Sequence, residues 1–149
     1  ASAPNLSMLL RRSMADAGVA TQAAKRAHGR ARPFMVMGSQ TCSPQDEAYL
    51  RTDGSYPSGH AAIGWMLALV LVELAPDREN ALLARGFDFG ESRVVCRVHW
   101  ESDVEAGRLV ASATYARLQA DPAFRAQAAL AAGELRALRA AARGVSSGG

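Results

Sequence analysis

The sequence predicts an all-α fold, a single-domain helical bundle. Three observations carry that expectation. Apolar residues recur at helical spacing, as in Leu6, Leu9, Leu10 and Met14. No segment shows the period-two alternation of a half-buried strand. The chain is rich in alanine and only 6% aromatic, a composition that suits closely packed helices better than a β-sandwich. At 149 residues there is room for one domain, and roughly two-thirds of the unfolded surface is buried at that size. A content of 49% hydrophobic and 21% charged residues sets the chain apart from disordered proteins. One domain is therefore expected over residues 1–149, with 144–149 as a flexible tail because Ser146-Ser147-Gly148-Gly149 is of low complexity.

The first predicted helix carries the Leu6–Met14 periodicity and stops at Gly18. A second covers residues 19–30 and closes at Arg32-Pro33, since the residue before proline avoids α geometry. Residues 34–54 are punctuated by Gly, Ser, Pro and Asp and read as an irregular excursion, long for a plain connector. Tyr56-Pro57-Ser58-Gly59-His60 then opens a strongly apolar helix that runs to about Ala75. Asp77 is the expected N-cap of a helix over residues 78–96. Another helix is expected over residues 102–120. Asp121-Pro122 caps and begins the last one, ending near Arg143.

The charge is 17 minus 14, or +3, with a pI near 9.3. That suits anionic ligands, at far less than the density of a dedicated nucleic-acid binder. The longest apolar stretch, residues 61–74, is shorter than the roughly 20 residues a bilayer span needs. The opening Ala1-Ser2-Ala3-Pro4 has neither a basic nor an apolar signal region, so the protein reads as cytoplasmic or as stripped of a leader. No Cys/His spacing suggests a metal site.

Three clusters stand out, and each also has a purely structural reading: a solvated basic face for the first, a helix cap for the second, and a helix-end ion pair or a satisfied core histidine for the third. Lys25 and Arg32 are seven apart, close to two helical turns, so that both cations would point the same way. Taken alone, Lys25 and Arg32 read as a solvated basic face with Arg26 and Arg30, the functional alternative being two cations converging on an oxyanion, and His28 reads as a surface histidine. Ser58 and Gly59 stand at a helix start. There the unpaired N–H groups and the dipole favour an anion, Ser58 serves as cap or donor, and Gly59 allows close approach. His60 beside them is placed for general acid work. The third cluster is Ser92-Arg93, His99 and Asp103. His99 and Asp103 are four apart, so one helical turn would put them on a shared face, with the carboxylate fixing the imidazole tautomer. Arg93 adds a third cation. Trp65 and Met66 read as core, Trp100 as a residue that shapes the site, and Glu101 and Glu105 as solvated charges.

In order, these clusters read Lys-x6-Arg-Pro, Pro-Ser-Gly-His and Ser-Arg-x5-His-x3-Asp. That pattern resembles the signature of the superfamily of type 2 phosphatidic acid phosphatases and vanadium haloperoxidases. The surrounding residues, 54–60 and 98–104, are most similar to the bacterial class A non-specific acid phosphatases, and the similarity covers roughly residues 20–125. The resemblance implies a helical-bundle phosphomonoesterase of the periplasm that acts on phosphate monoesters, releases inorganic phosphate, and needs no metal, no cofactor, no nucleic acid and no membrane. It also implies roles: His99 as nucleophile held by Asp103, His60 as acid and then base, and Lys25, Arg32, Ser58, Gly59 and Arg93 as the phosphate grip. Class A members carry a longer segment before the lysine than the 24 residues found here. An apolar seam left by that difference would be covered by a partner chain, such as a homo-oligomer's.

Two rival functions are weighed against this one. A vanadate-dependent haloperoxidase would use the same pocket, with His99 on vanadium. A basic helical binding module would use Arg11, Arg12, Arg26 and Arg30, although aromatic stacking platforms are scarce. Cys42 and Cys96 permit either one disulfide, which would anchor the excursion beside the site, or two buried thiols.

Overall fold

The computed structural model of the protein describes residues 2–146, with side chains as far as Arg143. Among the described residues every regular element is helical. The first helix, α1 (Pro4–His28), has proline in its first turn and ends at Gly29, whose φ of 50° is left-handed and whose N–H reaches Lys25 O at 3.0 Å. Its buried residues are Leu9, Ser13, Ala17, Thr21 and Lys25, a step of four that places Lys25 on the stripe facing the core.

That stripe runs through Gly18, where the sequence predicts a stop, so the two expected N-terminal helices are one. A mid-helix glycine costs only about 1 kcal/mol. Burial of residues on both sides along one continuous stripe outweighs it, and a Cβ at Gly18 would lie 3.7 Å from Ile63 Cδ1.

The centre of the bundle is α4 (Gly59–Leu74), which packs against α1, α5 (Glu79–Val95), α6 (Glu101–Gln119) and α7 (Pro122–Ser146). The core gathers Leu9, Ala17, Ala62, Met66, Val70 and Ala111, closed from the α7 side by Ala128 and Ala131. Small residues let the helices approach closely: a Cβ on Gly86 of α5 would come within 2.5 Å of Ala68 Cβ on α4. Met66 is core, as expected. Trp65 is half-buried, and its indole N–H donates to Ser112 Oγ at 3.0 Å.

The excursion contains α2 (Pro33–Met37), a 3₁₀ turn at Pro44–Asp46 and α3 (Glu47–Leu50). It folds over a small second cluster of Phe34, Leu50 and Val98. Of the two open possibilities for the cysteines, the bridge is formed: Cys42 joins Cys96, with Cα atoms 5.0 Å apart, and fastens the excursion to the end of α5.

Asp121 caps α7 as predicted, its Oδ1 accepting from Ala123 N at 2.8 Å. Asp77 does not cap α5. Pro76–Arg78 forms a 3₁₀ turn, Arg78 takes the cap position without a side-chain bond, and Asp77 Oδ1 instead accepts from Arg139 at 2.8 Å. Of the expected tail, the backbone continues as helix to Ser146; residues 147–149 lie outside the described residues. No helix is long and apolar enough to cross a membrane among the described residues.

Candidate active site

Each cluster sits where a helix begins or ends. Lys25 leaves the last turn of α1. Arg32 follows the left-handed Gly29, in extended backbone just before α2. Helical phase therefore does not bring the two together, contrary to the two-turn reading of their spacing; the chain reverses between them. Both are buried, and they meet on Asp53, whose Oδ2 accepts from Lys25 Nζ and from Arg32 NH2 at 2.9 Å each. Burial lowers the pKa of both cations, and the Asp53 carboxylate opposes the shift.

The remaining N–H groups of Arg32 are also engaged. Nε donates to Leu50 O at 2.9 Å and to Asp53 O at 3.1 Å, and NH1 donates to Val98 O at 2.9 Å. NH1 also lies 3.1 Å from His99 Nε2. A planar fork with this many acceptors has one orientation.

His99 precedes α6 rather than lying in it. It is delivered by the end of α5, where the N–H groups of Val98 and Arg97 bond back to Arg93 O and Val94 O at 3.1 and 2.9 Å, and Arg97 adopts a left-handed φ of 59°. An arginine where glycine is usual marks backbone strain beside the histidine. Asp103 is the third residue of α6 and fully buried. Its Oδ2 lies 3.5 Å from His99 Nδ1 and accepts from Trp100 N at 2.8 Å and Ser55 Oγ at 2.5 Å. Its Oδ1 accepts from Arg30 at 2.7 Å. Ser55 Oγ also lies 3.4 Å from His99 Nδ1.

Burial alone would raise the pKa of Asp103. The hydrogen bonds from His99, Ser55 and Trp100 N–H, with the Arg30 charge, overcome that and hold it below the usual carboxylate range. Acceptors on the Nδ1 side assign the N–H to Nδ1 and leave the Nε2 lone pair facing Arg32. Burial, with the Arg32 and Lys25 charges, pulls the His99 pKa down to about 4 against the pull of Asp103.

Ser58 caps α4 and is fully buried, its Oγ accepting from Ala61 N at 3.2 Å. Its own N–H bonds Asp103 O at 2.8 Å, which ties the start of α4 to α6. Gly107 makes that contact possible, because a Cβ there would lie 2.5 Å from Ser58 O. Gly59 and His60 form the first turn of α4, where backbone N–H groups lack intrahelical partners and the dipole is positive. His60 is exposed at the mouth. Partial burial of its ring, then the Arg93, Arg32 and Lys25 charges, lower its pKa. Arg93 is steadied by Nε donating to Ser92 Oγ at 3.0 Å and by lying over the Phe89 ring.

Two adjoining cavities share these walls. One of about 280 Å³ is lined by Arg32, His60, Arg93, His99, Asp46 and Tyr49. The other, about 180 Å³, is lined by Lys25, Arg32, Gly59, His60, His99 and Asp53. Six of the eight residues singled out in the sequence thus face one recess. Ser58 and Asp103 support it from behind.

Three residues escaped the sequence reading. Asp53 and Ser55 sit just before the Pro-Ser-Gly-His segment, and that nearness was the available signal; Asp46 and Glu47 lie in the same excursion, so acidity alone does not single out Asp53. Arg30, read as part of a solvated face, pairs with Asp103 while 40% of its side chain stays exposed. Trp100 shapes the site as expected: its indole N–H donates to Ala31 O at 2.9 Å, and Arg30 lies over its ring.

A buried imidazole with a carboxylate behind it and cations in front, at the N-terminus of a bundle's central helix, is a centre suited to a tetrahedral oxyanion. Comparison with known proteins gives the family. The model described as PAP2 superfamily matches residues 6–121, and the chain belongs to that superfamily. It is 48% identical over 126 residues to a non-specific acid phosphatase of Providencia stuartii, covering 84% of this chain and 51% of the relative. It is 54% identical over 105 residues to a non-specific acid phosphatase of Salmonella typhimurium, covering 70% of this chain and 42% of the relative. An acid phosphatase of Zymomonas mobilis is 42% identical over 139 residues, 93% of this chain and 53% of the relative. The chain spans about half the length of the curated relatives it matches.

Proposed function

We propose that this chain carries the active site of a periplasmic acid phosphatase that hydrolyses phosphate monoesters through a phosphohistidine, without a metal ion. The observation that carries the reading is His99: Nδ1 faces the buried Asp103, and Nε2 faces the Arg32 guanidinium in a recess that His60 and Arg93 also line. With its pKa near 4, the imidazole is a neutral nucleophile in mild acid.

In the first step the Nε2 lone pair attacks phosphorus and the bond to the ester oxygen breaks. The departing oxygen takes a proton from His60. The Arg32 N–H that faces Nε2 at rest stays in place and is met by a phosphoryl oxygen as the lone pair is used. In the second step neutral His60 takes a proton from water, whose oxygen attacks phosphorus. The phosphorus–nitrogen bond breaks, its electron pair returns to Nε2, and inorganic phosphate leaves. Lys25, Arg32 and Arg93, with the Ser58 hydroxyl and the Gly59 N–H, stabilise the charge on the transferring group, which is most of what phosphoryl transfer asks of a protein. The Cys42–Cys96 disulfide supports an oxidising compartment.

The test is hydrolysis of an aryl phosphate in mild acid with a chelator present. The native protein turns over and forms an acid-labile phosphoprotein, and His99→Ala does neither. Turnover that survives in His99→Ala, or vanishes with the chelator, refutes the reading.

A further inference from the structure

Lys25 and Arg32 are carried by different elements, and two oxygens of one turn, Asp53 Oδ2 and Gly54 O, join them. Asp53 Oδ2 accepts from Lys25 Nζ and from Arg32 NH2, both at 2.9 Å. The same turn adds its backbone: Gly54 O accepts from Lys25 Nζ at 2.5 Å and Arg32 NH2 at 3.4 Å, and Asp53 O accepts from Arg32 Nε at 3.1 Å. The turn is pressed onto α1, since a Cβ on Gly54 would stand 2.7 Å from Lys25 O. The Lys25 and Arg32 side chains are 5% and 2% exposed, so each has lost most of its hydration and feels the other's charge in a poorly screened setting. Two such cations converge only if something holds them.

Resting on the phosphatase reading above, we infer that Asp53 is a positioning residue, the shared counter-ion that keeps Lys25 and Arg32 converged on the phosphate site. A carboxylate beside an anion site has a second conceivable role, that of a rival anion which phosphate must displace. The contacts favour positioning. Asp53 holds Arg32 through NH2, whereas the nitrogen that faces His99 Nε2 is NH1. The carboxylate therefore does not occupy the space between the guanidinium and the nucleophile.

The two roles differ in sign. Removing a rival anion makes the site more positive and tightens phosphate binding. Removing a positioning residue weakens binding although the site has become more positive. The experiment titrates inorganic phosphate calorimetrically into the native protein, Asp53→Ala and Asp53→Asn, with aryl phosphate turnover measured alongside. Asp53→Ala is expected to weaken phosphate binding by roughly 10- to 100-fold, by analogy with the outer partners that orient metal ligands. Asp53→Asn keeps an oxygen acceptor and recovers part of the loss. Equal or tighter binding by Asp53→Ala overturns the inference and, with native turnover intact, leaves the phosphatase reading standing. A native protein that binds no phosphate overturns both. If Asp53→Ala loses its helical spectrum, the nearly isosteric Asp53→Asn decides alone: weaker binding supports positioning, and equal or tighter binding refutes it.

Discussion

Replacing Asp103 by asparagine tests the core of the proposed chemistry with almost no change in volume. Oδ2 of Asp103 meets the Trp100 N–H at 2.8 Å, the Ser55 hydroxyl at 2.5 Å and His99 Nδ1 at 3.5 Å, while Oδ1 meets Arg30 at 2.7 Å. An asparagine has one oxygen and one NH2 for these four donors. With the oxygen toward Arg30, the NH2 points at Trp100 N–H and His99, and the clash at Nδ1 favours moving the ring proton to Nε2. With the oxygen toward His99, the NH2 faces the Arg30 guanidinium, and the charge that steadies an imidazolium is gone in either case. The wrong tautomer removes the nucleophilic lone pair. In a serine protease the equivalent change lowers kcat about 10⁴-fold, and a loss of about 10³- to 10⁴-fold, or about 4–5.5 kcal/mol, is expected here. The assay is kcat on an aryl phosphate, with thermal unfolding and the helical spectrum as controls for folding. A folded Asp103→Asn protein that keeps more than a tenth of native kcat refutes the argument that the carboxylate sets the His99 tautomer.

Three further outcomes follow from the same geometry. The pKa of His99 falls from 6.5 unfolded to about 4 folded, so the unfolded chain binds more protons between these values and stability is lost as pH falls from 6.5 toward 4. The loss is about 3 kcal/mol at most, and chemical denaturation of native and His99→Gln protein across that window, with a flatter slope in the variant, checks it. Reducing Cys42–Cys96 opens a loop with a sequence separation of 54 and is expected to cost about 4 kcal/mol from chain entropy. Scans with and without reductant show a lower Tm, and KM rises because Leu50, whose carbonyl holds Arg32, is loosened. Gly107→Ala places a methyl 2.5 Å from Ser58 O and pushes α6 from the start of α4. A loss of about 1–3 kcal/mol in denaturant melts, with a fall in kcat, is expected, and a neutral result would mean that the contact is slack.

The all-α class, the span of α4 and the cap at Asp121 were legible in the sequence because each rests on local physics, whereas the eight candidate site residues were legible through the resemblance of their motifs to a known signature. Periodicity, capping and motif spacing depend on neighbours a few residues away. The tertiary structure decided what depends on distant partners. Gly18 interrupts no helix because α4 buries the stripe on both sides of it. Lys25 and Arg32 meet through a chain reversal and the Asp53 carboxylate, not through helical phase. Asp77 is drawn from its expected cap to Arg139 on α7. Arg30 and Ser55 become partners of Asp103 from 73 and 48 residues away. Spacing along a chain fixes which side chains share a helical face. Which carboxylate a buried cation finds is settled only when burial removes water as the alternative partner and leaves the nearest acceptor in space.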